Sequence, residues 1–320
     1  LNDVKPATLA AIILASAVCG LAQPAENKTE DKLVARHVIG LEKVKRNHSG
    51  TLTIQSGELG FASGKTSDKF PIASIDDLVL GTETTQSGGK TGRAVKTAAI
   101  AAPYESGAGL SILLRTKVDV LTVSYRESGG GLHYAILAMP KGKGEQERSQ
   151  LIAAGARVKT PPAPVLKEAR ATAAEPAKAA VQAPIQKITA SAIQIQPVDS
   201  GDVQIPAEFL AAVYEFVVIR VRESGAFEHV YRSGDRAAES VPDLVTLHLE
   251  VEKFTQGSQM KREITTVLGA TKVDLAATLT AHDGKTLLDR KVHGKVRFFG
   301  ENLGVTNDLA KRIAKLLHRT

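Results

Sequence analysis

The sequence predicts an α+β protein of two domains: a β-rich barrel closed by a C-terminal helix, then a sandwich in the order helix, strand meander, helix. Three observations predict it. Apolar residues alternate with polar ones at the period of a strand through two separate regions, while helical spacing is confined to their ends. An Ala/Pro-rich stretch lies between the two regions. The chain has 320 residues, 43% of them hydrophobic, a length and composition that suit two domains with cores of their own.

The order of elements starts with an address. Lys5 precedes an apolar run over residues 7–18, and Gly20-Leu21-Ala22 places small residues, Gly20 and Ala22, at the positions that a signal peptidase reads. A segment this short does not span a bilayer as a stable helix. Residues 1–22 therefore read as a signal peptide cleaved after Ala22, so that the mature chain starts at Gln23 and is exported, periplasmic or envelope-associated. The single cysteine, Cys19, offers the alternative of a lipid anchor, against which Val18 stands where a lipobox prefers a small residue. Cleavage after Ala22 would remove the only thiol, leaving packing alone to stabilise the chain.

Residues 23–35 read as flexible and 36–157 as the first domain. Residues 51–55 and 58–62 form a hairpin about Ser56-Gly57, and a further strand covers 75–81. Residues 82–110, Gly-rich and then Ala-rich, are expected to be an inserted loop with a short helix. Strands over 111–115 and 119–125 are separated by a polar break at Thr116 and Lys117. Gly129, Gly130 and Gly131 turn the chain into a strand over 132–138, and a helix over 145–154 stops at Gly155. The segments 48–54, 70–78 and 129–134 resemble those of bacterial pleckstrin-homology or GRAM-like domains, which implies a binding scaffold without naming a ligand.

Residues 158–204 are dominated by Ala, Pro and scattered charge and read as a semi-extended linker that leaves the domains independent. The second domain, 205–320, opens with Pro206 and a helix ending near Ser224-Gly225. Strands are expected over 227–232, 243–253, 272–281 and 287–299, and a closing helix begins near Thr306. Residues 225–230, 254–258, Arg262 and 269–273 resemble an envelope domain of unknown function often carried by bacterial lipoproteins. That domain is similar in layout to the curli-secretion lipoprotein and to the N-terminal domain of the Tol-system propeller protein. The resemblance implies assembly or scaffolding and brings no catalytic residues.

Chemistry-bearing motifs are sparse. Gly88-Gly89-Lys90-Thr91 evokes a phosphate loop, but Thr84 stands where the pattern needs glycine. The eight histidines are scattered, without a paired-ligand spacing, so neither a metal nor another cofactor is expected. No Gly-x-Ser-x-Gly elbow occurs, and no catalytic residue is assigned. Aromatics make up 4% of the chain and tryptophan is absent, which disfavours a single-strand nucleic-acid platform, and export disfavours nucleic acid altogether.

A net charge of +7 allows attraction to anionic surfaces, membranes included. The candidate partner-binding residues are Lys291, His293, Lys295 and Arg297, which alternate along one strand and so share a face. They fit an acidic partner in an envelope assembly; the plainer reading is a ladder balanced by Glu250 and Glu252. Lys43, Lys45 and Arg46 could contact lipid headgroups. The expected function is a non-enzymatic, exported interaction or assembly module, with a small-ligand or anionic-lipid binding protein as the alternative and an enzyme third.

Overall fold

The computed structural model describes residues 32–86, 115–159, 189–255, 271–295 and 304–318. The fold is α+β, with two sheets and three α-helices among the described residues. The first sheet contains β1 (Leu33–Ile39), β2 (His48–Gln55), β3 (Glu58–Ser63), β4 (Thr66–Pro71), β5 (Ile75–Gln86), β6 (Arg115–Arg126) and β7 (Leu132–Pro140), followed by helix α1 (Lys143–Ala153). The strand order is β4-β3-β2-β1-β7-β6-β5, so β4 and β5 are its two ends. Barrel closure is therefore not part of the hydrogen bonding among the described strands.

Local chemistry explains several of these boundaries. Ser56 and Gly57 both take positive φ (52° and 77°), which is what a two-residue hairpin turn of the twist-matching kind requires. The N-terminus of α1 starts at a glycine with no capping side chain, and Asp119 caps it from β6, accepting from Gly142 N at 2.7 Å and Gly144 N at 3.0 Å. A Cβ on Gly144 would sit 2.5 Å from Leu80, so glycine is what lets the helix lie this close to the sheet.

The second sheet has the order β12-β11-β10-β8-β9, from β8 (Ala192–Ile195), β9 (His229–Arg232), β10 (Leu244–Thr255), β11 (Lys272–Ala281) and β12 (Thr286–Lys295). Helices α2 (Ala207–Ser224) and α3 (Gly304–His318) pack on each other and on the sheet. Gly225, at φ +64°, ends α2 in the left-handed conformation that a helix C-terminus favours.

Four expectations are corrected. β1 begins at Leu33, inside the stretch 23–35 expected to be flexible. The two strands expected at 111–115 and 119–125 are one strand from Arg115 onward, because Thr116 and Lys117 continue the ladder opposite Thr85 and Thr84. The interval 158–204 ends in a strand and a bridge: β8 pairs in parallel with both β10 and β9, and Asp199 bridges to Glu250. Averaged composition hides such an element, since Ile193 and Ile195 are fully buried in a strand of four residues set among Ala and Pro.

The largest correction concerns independence of the domains. The described residues, from Lys32 to His318, form one compact unit. Val38, Val120, Ile136 and Ala138 of the first sheet share a hydrophobic core with α2 and the second sheet. The opposite face of the first sheet buries Leu121, Val123, Leu137 and Leu151 in a core of its own. Strand β7 is thus buried on both faces, as its unbroken apolar run from Ala135 to Met139 requires. Fully burying a side chain the size of Val or Ile contributes about 1.5–3 kcal/mol, so a junction of several such residues outweighs the flexibility read into the linker. Among the described residues no helix is long and apolar enough to cross a membrane.

Candidate functional site

Strand β12 places the sequence-predicted residues as follows. Lys291, His293 and Lys295 project from one face of an edge strand, with side chains of Lys291 and His293 about two-thirds exposed. Val292 and Gly294 face inward, and Gly294 must be glycine because a Cβ there would lie 2.5 Å from Leu309 of α3. His293 stands opposite Asp274 on β11, Nδ1 to Oδ1 at 2.8 Å. Lys291 stands opposite Ala276, whose small side chain leaves the ammonium free to reach Glu252 on β10 at 2.8 Å. The hydrogen bond that the Lys291 ammonium donates to Glu252 holds its pKa above the ordinary value. Lys295 lies opposite Lys272, and Arg297 lies outside the described residues. Lys291 and His293 are therefore matched by carboxylates of the same face, and the surface is a mixed ladder over most of its described length. Gly88 to Thr91 and Cys19 also lie outside the described residues.

A second constellation, which sequence reasoning missed, sits where the two lobes meet. Glu215 of α2 and Arg232 of β9 are 1% and 5% exposed and form a two-pronged pair at 2.9 and 3.0 Å. Glu215 also accepts from Tyr134 N at 2.8 Å, and Arg232 donates to Leu132 O at 3.2 Å and to Glu42 at 3.3 Å. Tyr214 donates to Leu132 O and accepts from Ser233 N. Burial pushes the Glu215 carboxyl up while the guanidinium opposes it. Burial acts to lower Arg232, and the Glu215 charge more than offsets this and raises it. A glycine clasp lies beside this pair: Arg236 N donates to Gly129 O, Leu132 N to Ser233 O, and the Arg236 guanidinium to Ser128 O. Gly130 takes φ +94°, and a Cβ there would fall 2.4 Å from Gly234 O.

Next to the clasp the first lobe opens into a cleft of about 660 Å³, whose wall includes Glu42, Asp68, Phe70, Tyr125, Arg126 and Glu127. Phe70 stacks on Tyr125 with ring centres 3.8 Å apart, and Tyr125 stacks on His133 at 5.1 Å. His133 is 1% exposed. Its Nε2 lies 3.0 Å from Glu127 Oε1, yet the approach is out of line for a hydrogen bond, and neither ring nitrogen has an aligned partner among the described residues. Burial first and the Arg232 charge second push His133 down to about 3, so the ring is neutral at ordinary pH. Burial and the charge of Glu42 push Glu127 up. Lys43, expected as a headgroup contact, faces Asp68 across the same cleft at 3.6 Å, and Arg46 lies over the Phe216 ring at 5.5 Å.

One signal in the sequence pointed to this junction. Residues 211–219 of α2 are apolar on every side except at Glu215, and a helix apolar all round packs on two sides. Nothing in the sequence paired Glu215 with Arg232. Among the described residues no group of three or more His, Cys, Asp or Glu is placed to hold a metal ion.

No family model and no curated protein sequence matches the chain. Among solved structures it is similar to the PelC dodecamer from Paraburkholderia phytofirmans, at 10% identity and a TM-score of 0.33, over 42% of this chain and 91% of that one. It is also similar to a protein from Xanthomonas campestris of the family model DUF330, at 11% identity and a TM-score of 0.28, over 43% of this chain and 85% of that one. Both come from bacteria, and neither likeness carries an argument about activity or partners.

Proposed function

We propose that this chain is a non-enzymatic interaction module of a bacterial cell envelope, exported and docking on a protein assembly. The observation that carries the reading is the lock between the lobes: a buried two-pronged ion pair, a glycine clasp and a shared core hold two sheets as one scaffold. A scaffold held in this way presents its surfaces in fixed relation, which lowers the ordering cost of docking. The secretory character of residues 1–22 supports the compartment. The strand order of the first sheet, with α1 following β7, supports a pleckstrin-homology-like first lobe.

Affinity capture from bacterial envelope extract, followed by reconstitution with the purified captured protein, tests this. The expected result is saturable binding of a defined envelope protein that emerges chemically unchanged, with binding weakened by Glu215→Ala through loosening of the lobes. Conversion of the captured molecule, or retention on anionic vesicles alone, would overturn the reading. The strand face is tested in the same assay by reversing Lys291 and Lys295 to Glu. Reduced, salt-sensitive recovery supports an acidic partner on β12, and unchanged recovery leaves the face a structural ladder.

A further inference from the structure

The cleft of the first lobe holds one carboxylate, Glu127, whose only ion-pair-distance partner among the described residues is the His133 ring. We propose that this cleft is a receptor for a cationic group, an alkylammonium or guanidinium, held between the Glu127 and Asp68 carboxylates along the edges of the Phe70–Tyr125 stack; the inference rests on the interaction-module reading, and names the chemistry of the partner.

The charges around the cleft are not equivalent. Two of its three cations are paired outside its wall, Lys69 with Glu58 at 2.7 Å and Arg126 with Asp76 at 2.8 Å, and the third, Lys43, is paired with Asp68 within it. Glu42 is engaged by Arg222 and Arg232, each at 3.3 Å. Asp68 has a distant ammonium, Lys43 Nζ at 3.6 Å on a side chain 75% exposed, besides backbone N–H groups of Lys43 and Lys69. Glu127 has less. Its carboxylate meets His133, and that ring cannot supply a charge because it is buried and neutral. Behind that wall the buried imidazole has two unmatched nitrogens, one of them 3.0 Å from the Glu127 carboxylate but out of line with it, so His133 does not satisfy Glu127 by hydrogen bonding either. A cation between Glu127 and Asp68 would supply the charge that His133 does not.

Size and lining agree. About 660 Å³ falls in the range of binding pockets and exceeds what a lysine or arginine side chain fills. Phe70 and Tyr125 line it, so the methylene stem would lie along the edges of the stacked rings while the charged head meets carboxylate. The ligand class has two sources, a basic side chain on a protein or a free amine.

The test is an NMR titration of the full chain with four probes: the pentapeptide acetyl-Ala-Ala-Lys-Ala-Ala-amide, its acetyl-lysine form, the same peptide with Glu in place of Lys, and n-butylammonium. The proposal expects shifts centred on Phe70, Tyr125 and Glu127 with the lysine peptide, and none with the acetylated or acidic forms. Losing one charge-assisted contact weakens binding by about tenfold to a hundredfold, which is the loss expected for Glu127→Gln and for Asp68→Asn, while Lys69→Ala leaves binding intact or tightens it. Equal binding of n-butylammonium and the peptide assigns the site to a free amine; binding of the peptide alone assigns it to a protein side chain. No shift with either cation, or the same affinity in Glu127→Gln with its fold preserved, overturns the inference. If Glu127→Gln still captures the envelope protein while the lysine peptide fails to bind the parent chain, the cleft assignment falls and the interaction module stands.

Discussion

Replacing Glu215 by alanine should be the most damaging single polar change in the molecule. The carboxylate is 1% exposed and satisfies two guanidinium N–H groups and the Tyr134 backbone N–H. Its loss leaves Arg232 charged and 5% exposed, with Leu132 O and Glu42 as the remaining acceptors. Breaking a buried pair from one side costs about 3–5 kcal/mol, and the orphaned N–H of Tyr134 belongs to the same penalty. Domains are stable by only about 5–15 kcal/mol, so this is a large share. With a urea slope of about 2–3 kcal/mol/M, the unfolding midpoint should fall by roughly 1–2.5 M. Urea unfolding followed by circular dichroism measures it. The companion Glu215→Leu/Arg232→Met should recover most of the loss, because removing both charges removes the unpaired one. A midpoint shift in Glu215→Ala below roughly 0.3 M, with the slope unchanged, would refute the idea that this pair locks the lobes.

Three further outcomes are expected. Gly130→Ala forces a side chain into a positive-φ position 2.4 Å from Gly234 O, and should cost about 1–3 kcal/mol and speed hydrogen exchange at Leu132 and Arg236 first. Ile193→Ala should cost about 2–5 kcal/mol, since Ile193 is fully buried in β8, whereas a linker residue would cost nothing measurable in the same unfolding assay. His133, held near 3 by burial and Arg232 against an ordinary 6.5, binds its proton less readily folded than unfolded. Its share of stability is therefore intact above pH 6.5 and is lost as pH falls toward 3, at up to about 1.4 kcal/mol per pH unit. His133→Phe should keep the stack on Tyr125, flatten the slope that unfolding midpoints show between pH 6 and 4, and cost nothing at pH 7 because both ring nitrogens are unmatched already. His37, also held down by burial, keeps its own part of that slope in the variant.

The sequence was legible where a pattern is local. The hairpin at Ser56-Gly57, the stop of α2 at Gly225 and the alternation along β10 and β11 follow from periods and turn residues within a dozen positions. β8 was not legible, because four residues carry too little periodicity and draw their stability from two parallel neighbours far along the chain. The lobe junction left a trace in the all-round apolarity of α2, and its partner surface was hidden in β7, whose hydrophobic run suits a buried strand in any context. For the candidate sites, the period of two placed Lys291, His293 and Lys295 on one face, as observed. It could not show that Ala276 lets Lys291 reach Glu252, nor that Glu127 and Asp68, nearly sixty residues apart, would line one cleft with His133 behind Glu127.

Native-state hydrogen exchange, followed peptide by peptide through increasing urea below the unfolding transition, tests the central claim most directly. One cooperative unit gives β7, α2 and β10 protection that converges on a single opening free energy, with the Tyr134 amide among the slowest because Glu215 holds it inside the junction. Loss of protection in α2 and the second sheet at urea concentrations where β1 to β7 remain protected would contradict it, and would return the chain to two domains that fold apart.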